Sequence, residues 1–98
     1  MTTLGLAPEI TEDLLRIAEH LAEHEVRDIE SRLQEIFDAL EILLRHPLIG
    51  RPAAGGHREL VIGRGSRGYV ARYRYDPLED EAIVTALRAQ REAGFRER

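Results

Sequence analysis

Arginine is the residue in this chain with the most chemistry to offer. The sequence has 14 arginines and no lysine. A guanidinium is a planar fork that binds carboxylates and phosphates through paired hydrogen bonds. Five of the arginines stand in or beside expected strands: Arg58, Arg72, Arg74, Arg88 and Arg91. Arg72 and Arg74 are two apart, so they share one face of a strand. Such a cluster on an open sheet face could hold a phosphate backbone or an acidic peptide. A solvated face pairing with Glu59, Asp80 or Glu92 is the plainer alternative.

Other spacings carry less. His20 and His24 are four apart and could offer a metal two ligands from one helix face, but a structural zinc site needs about four. There is no cysteine, so neither a disulfide scaffold nor a thiolate site is available. No metal or cofactor is expected. Gly63-x-Gly65-x-x-Gly68 has the spacing of a dinucleotide-binding loop. That loop must lead into a helix whose N-terminus meets the phosphate. Here a strand follows, so a hairpin turn is the better account. Ser31 and Ser66 have no evident base beside them, and no nucleophilic site is expected.

These residues need elements to position them. Thr3 to Ala7 has Leu4 and Leu6 two apart, a weak edge-strand signal. Pro8 suits a first helical turn. Ile10, Leu14, Ile17, Ala18 and Leu21 then predict a helix over about 8–24. Ile29, Leu33, Ile36, Phe37, Leu40, Leu43 and Leu44 predict a second over about 26–46, stopped by Pro47. The join at Glu25 lacks Gly or Pro, so periodicity also allows one long helix. A loop rich in Pro, Gly and Ala follows, then strands at about 58–62, 67–75 and 82–87. Tyr69, Ala71, Tyr73 and Tyr75 alternate with Val70, Arg72 and Arg74, so one strand face should lie on the helices and the other should be open. Residues 88–98 form a polar tail. Ninety-eight residues make one domain, 1–98.

RELVIG at 58–63 and GYVARY at 68–73, behind two amphipathic helices and ahead of a basic tail, form an ordered set. In that order the chain resembles the RelE/ParE superfamily, the toxins of type II toxin–antitoxin pairs. The resemblance implies an α+β fold: an N-terminal strand, a helical hairpin packed on a small antiparallel sheet, and a short C-terminal tail or helix. It implies a cognate antitoxin, ParD-like or similar, in a hetero-oligomer. Arg58, Tyr69, Arg72, Arg74, Arg88 and Arg91 are then the expected contacts to target or antitoxin.

Two branches of the superfamily differ in action. RelE-like toxins cut messenger RNA on the ribosome with basic residues on the sheet and an arginine and tyrosine near the C-terminus. Aligned by strands and by Gly68-Tyr69, those positions fall on Glu59, Val61, Val70, Ala89 and Phe95. Val, Ala and Phe neither stabilise a charged transition state nor move a proton. LRAQREAGF at 87–95 resembles the ParE-side ending. The resemblance therefore implies a ParE-like inhibitor of DNA gyrase, more a binder than an enzyme. The alternatives are a ribosome-dependent ribonuclease and a non-toxic antitoxin-binding remnant.

Charge and hydropathy bound the setting. Residues 1–50 carry 4 Arg against 11 Asp and Glu, a net of −7. Residues 51–98 carry 10 Arg against 7, a net of +3. The net charge of −4 argues against nonspecific nucleic-acid binding by the whole chain. The first residues have no basic and apolar leader pattern, and no apolar run could span a bilayer. A cytoplasmic protein is expected.

Overall fold

A computed structural model describes residues 1–24, 26–92, 94 and 95. The strand β1 (Thr3–Leu6) leads into helices α1 (Ile10–Glu23) and α2 (Ile29–Leu40), followed by β2 (Arg51–Pro52), β3 (Arg58–Ile62), β4 (Tyr69–Asp76) and β5 (Glu81–Ala89).

Both helices follow the apolar periodicity of the sequence. Ile10, Ile17 and Leu21 bury one stripe of α1. Ile36 and Leu40 do the same for α2. Asp28 decides that there are two helices. It adopts a left-handed conformation (φ 55°), and its Oδ1 accepts the backbone N–H of Ser31 at 3.1 Å. That satisfies one of the donors a helix start leaves open. Glu25, where the join was expected, lies outside the described residues. The second helix is shorter than its stripe implies. Glu41–Leu44 tighten into a 3-10 turn before Pro47, a common way for a last turn to satisfy its carbonyls. Leu43 still reaches the core, fully buried.

The sheet order is β1-β5-β4-β3-β2. β2, β3, β4 and β5 are antiparallel in succession. The expected N-terminal strand, β1, joins this antiparallel set at its edge and pairs parallel to β5, Leu4 opposite Ala82 and Leu6 opposite Val84. The helical side of the sheet holds the core. Ile62, Tyr69, Ala71, Tyr73, Ala82, Val84 and Leu87 pack there with the buried residues of both helices. The tail is described only through Glu92 and at Gly94 and Phe95; the rest of the expected 88–98 tail lies outside the described residues.

The edge of β5 needs more than β1. The N–H of Ala7 reaches Val84 O at 2.9 Å, and there β1 gives out. Beyond it, Leu87 would present a bare N–H and C=O, the liability of any edge strand. Helix α1 completes the edge with side chains. Asp13 Oδ2 accepts the Leu87 N–H at 2.9 Å, and Arg16 Nη2 donates to Leu87 O at 3.0 Å. Arg16 also pairs with Asp13 and with Glu92, at 2.8 and 2.9 Å. Burial works against the Arg16 charge, but the hydrogen bonds to Glu92 and Asp13 outweigh it and raise its pKa.

The β4–β5 turn is closed by carboxylates. Asp76 Oδ1 accepts the N–H groups of Leu78 and Glu79. Asp80 Oδ1 accepts hydrogen bonds from the hydroxyls of Thr2 and Tyr75, both at 2.7 Å, so the N-terminus is tied to the turn. The Thr2 hydroxyl first, then that of Tyr75, holds the Asp80 carboxyl below its ordinary 3.8. A depressed pKa contributes stability above the unfolded value and loses it as pH falls through the folded one. Asp80→Asn should therefore lower the urea midpoint at about pH 7, and the deficit should shrink by about pH 3. A deficit that stays constant with pH would sink this account.

Candidate functional site: arginines on the sheet face

The face of the sheet away from the helices is set by strand parity. On β4 it takes Val70, Arg72 and Arg74. Their partners are Val61 and Arg88, Glu59 and Ala86, and Ile83. Arg88 joins this face because of an irregularity. The pairing steps from Arg72–Ala86 to Tyr73–Val84, which leaves Thr85 as an extra residue. A bulge of one residue reverses side-chain parity along the rest of the strand. Ala82 and Val84 precede it in the core, Leu87 follows it in the core, and Arg88 turns outward beside Arg72. The Thr85 hydroxyl donates to Arg72 O at 3.2 Å across the bulge.

This face is partly covered, where a wholly open one was expected. The Phe95 ring lies 4.7 Å from Arg72 Cζ and 5.0 Å from Arg88 Cζ. Val70 and Ala86 are buried on the same side, at 3% and 0% exposure. Arg88 Nη1 donates to the carbonyls of Ala89, Gln90 and Glu92, which bends the tail back over the sheet. Each guanidinium–ring contact is worth about 0.5–1 kcal/mol at an exposed site and more when desolvated. The Nε atoms of both arginines are buried with no hydrogen-bond partner among the described residues.

The six residues singled out in the sequence separate into distinct places. Arg72 and Arg88 stand together around Phe95. Arg74 is exposed on the same face, with Nη2 2.9 Å from His57 Nε2. Arg58 lies across β3–β4 from Tyr73, on the helical side. Its Nη1 donates to Leu48 O and Gly50 O at 3.0 and 2.8 Å, so it braces a loop. Tyr69 is 8% exposed and belongs to the core. Arg91 contacts His20 Nε2, in a groove under α1. Glu59, opposite Arg72, is engaged by Arg51 at 3.2 Å.

The rings of His20 and His24 both make contacts within the chain. His24 Nδ1 lies 2.9 Å from His20 O, and His20 Nε2 faces Arg91. No group of three or more His, Asp or Glu side chains among the described residues is arranged to hold a metal ion. The Gly63–Gly68 segment is a turn between strands, with Gly63 at φ 75° and Gly65 at φ 59°. It leads into β4, as a hairpin should.

Asp13 and Arg16, which secure the β5 edge, are the pair that strand reasoning missed. One signal was present. Asp13 stands three residues after Ile10 and four before Ile17, inside an apolar stripe, where a carboxylate must find partners.

These elements and their order define an α+β fold, two helices on one side of a mixed five-stranded sheet. The sequence profile for the "ParE toxin of type II toxin-antitoxin system, parDE" matches residues 4–94, and the chain belongs to that family. It is similar to the protein described as Toxin RelE3 of Caulobacter vibrioides, with 27% identity over 88 residues. Those residues cover 90% of this chain and 94% of that protein. In fold it is similar to a solved structure described as "Chromosomal ParDE TA system from P. aeruginosa". The TM-score is 0.73 at 20% identity, over 91% of this chain and 96% of the other. Among the described residues, no helix is long and apolar enough to cross a membrane.

Proposed function

We propose that this toxin acts in the cytoplasm by binding DNA gyrase and inhibiting it, and that a cognate ParD-like antitoxin neutralises it by covering the sheet face and the helices. The gyrase target comes from the resemblance to the ParE branch. One observation supports it over mRNA cleavage. The aromatic residue held between Arg72 and Arg88 is Phe95, which has no hydroxyl. A metal-free phosphoryl transfer needs cations and also a group that moves a proton. Arg72 and Arg88 supply cations only, because a guanidinium stays protonated in proteins. Val70 and Ala86, buried beside them, supply neither. The cluster around Phe95 is better suited to holding a partner than to cutting one.

In a purified system the chain should inhibit gyrase supercoiling, and added antitoxin should restore it. Ribosome-bound mRNA should remain intact. Robust mRNA cleavage with supercoiling untouched would establish the ribonuclease reading instead. No effect in either assay, together with tight antitoxin binding, would mark a non-toxic remnant.

A further inference from the structure

We propose that the groove between the end of α1 and the β3–β4 turn is a binding site for a small polyphosphorylated ligand of the nucleotide class. It lies apart from the Arg72–Phe95–Arg88 cluster. Its volume is about 410 Å³, within the range of small-molecule sites.

Four arginines line it. Beside Arg16, which is paired with Asp13 and Glu92, three come from distant parts of the chain: Arg32 from α2, Arg67 from the β3–β4 turn, and Arg91 from beyond β5. None of these three has a carboxylate within 4 Å among the described residues. Arg91 instead touches the ring of His20. Glu92, the carboxylate that lines the groove, is occupied: it binds Arg16 Nε at 2.9 Å and the Ala89 N–H at 2.6 Å. Like charges gathered without a counter-ion repel one another, and an anion placed among them removes that cost. Guanidinium forks suit phosphate oxygens in particular.

Apolar side chains line the groove beside His20, His24 and the paired Arg16 and Glu92. Ile17, Leu21 and Tyr69 form part of the wall. Bare phosphate has no use for such a surface, whereas a flat base does. A long polyanion is disfavoured. Residues 1–50, which include α1 and α2, carry a net charge of −7 and would repel an acidic peptide or a nucleic acid running past the groove. A compact ligand confined to the three arginines meets less of that repulsion than an extended chain does.

The test is calorimetric titration of the full-length chain with ATP and GTP, and with tripolyphosphate and adenosine as the two halves of the ligand. Saturable nucleotide binding is expected, with tripolyphosphate and adenosine each weaker. Arg32→Ala and Arg67→Ala should each weaken nucleotide binding about 10-fold or more. Arg45→Ala, an exposed arginine outside the groove, should leave it unchanged. Arg67 sits on an exposed turn, so its variant should melt as the parent does, which separates lost binding from lost fold. The assignment is overturned by absence of saturation at millimolar nucleotide or by full affinity in the Arg32 and Arg67 variants. Tripolyphosphate or polyglutamate binding as tightly as nucleotide would also overturn it. Neither Arg32 nor Arg67 belongs to the sheet-face cluster, so this result stands or falls separately from the supercoiling assay.

Discussion

Asp13→Ala should lower the unfolding free energy by about 3 kcal/mol, read from urea denaturation followed by circular dichroism. Asp13 is 1% exposed and accepts from two elements at once, Arg16 on its own helix and the Leu87 N–H on β5. Alanine leaves that N–H buried without its acceptor, which alone costs about 1–3 kcal/mol. It also removes one partner of a charge pair. Breaking a buried pair costs about 3–5 kcal/mol. The lower end applies here, because Glu92 still holds Arg16 and because the Arg16 side chain is 21% exposed. Asp13→Asn keeps an acceptor for Leu87 but turns its NH2 toward Arg16, losing that hydrogen bond along with the charge, so a loss smaller than alanine's, about 1–2 kcal/mol, is expected. A loss below 1 kcal/mol for the alanine variant would show that α1 does not secure the β5 edge.

Gly50→Ala should be about as damaging, for a steric reason. A Cβ at Gly50 would stand 2.6 Å from Tyr73 Cε1, 2.7 Å from its hydroxyl oxygen and 2.9 Å from Glu59 O. The last of these is backbone and cannot swing away. Tyr73 is itself fully buried, and its hydroxyl bridges two groups of the same loop: it accepts the Gly50 N–H and donates to Pro47 O, both at 2.8 Å. Forcing atoms into such a site costs about 1–3 kcal/mol, and here a hydrogen-bond pair is displaced as well. Tyr73→Phe should cost about 1–2 kcal/mol by orphaning the Gly50 N–H. The double variant should lose less than the sum, because the phenylalanine removes one of the three clashing atoms. Strict additivity in a double-mutant cycle would mean that the two residues do not share the strain.

The gap between strand parity and tertiary context explains which site residues were legible. Arg72 and Arg74 were assigned a common face from their spacing, and they share it. Arg58 was grouped with them because it sits in a strand, yet register pairs it with Tyr73 and turns it to the helical side. Spacing within one strand fixes relative orientation only. Which side becomes the open one depends on where the helices dock. Arg32 and Arg67 had no sequence signal, because their groove exists only once α2, the β3–β4 turn and the end of β5 are brought together.

The sequence by itself determined the local elements: the two apolar stripes, the stop before Pro47, the bounds of β3 and the alternation along β4. Each depends on neighbours within a few residues, where sterics and side-chain period act directly. The family order of elements was legible for the same reason. Only the tertiary structure decided that β1 runs parallel to β5, since strand direction is chosen by long-range pairing that periodicity does not encode. It also decided the composition of the site. A bulge at Thr85 reverses the parity of β5, and only that reversal carries Arg88 out of the core to stand with Arg72 against Phe95.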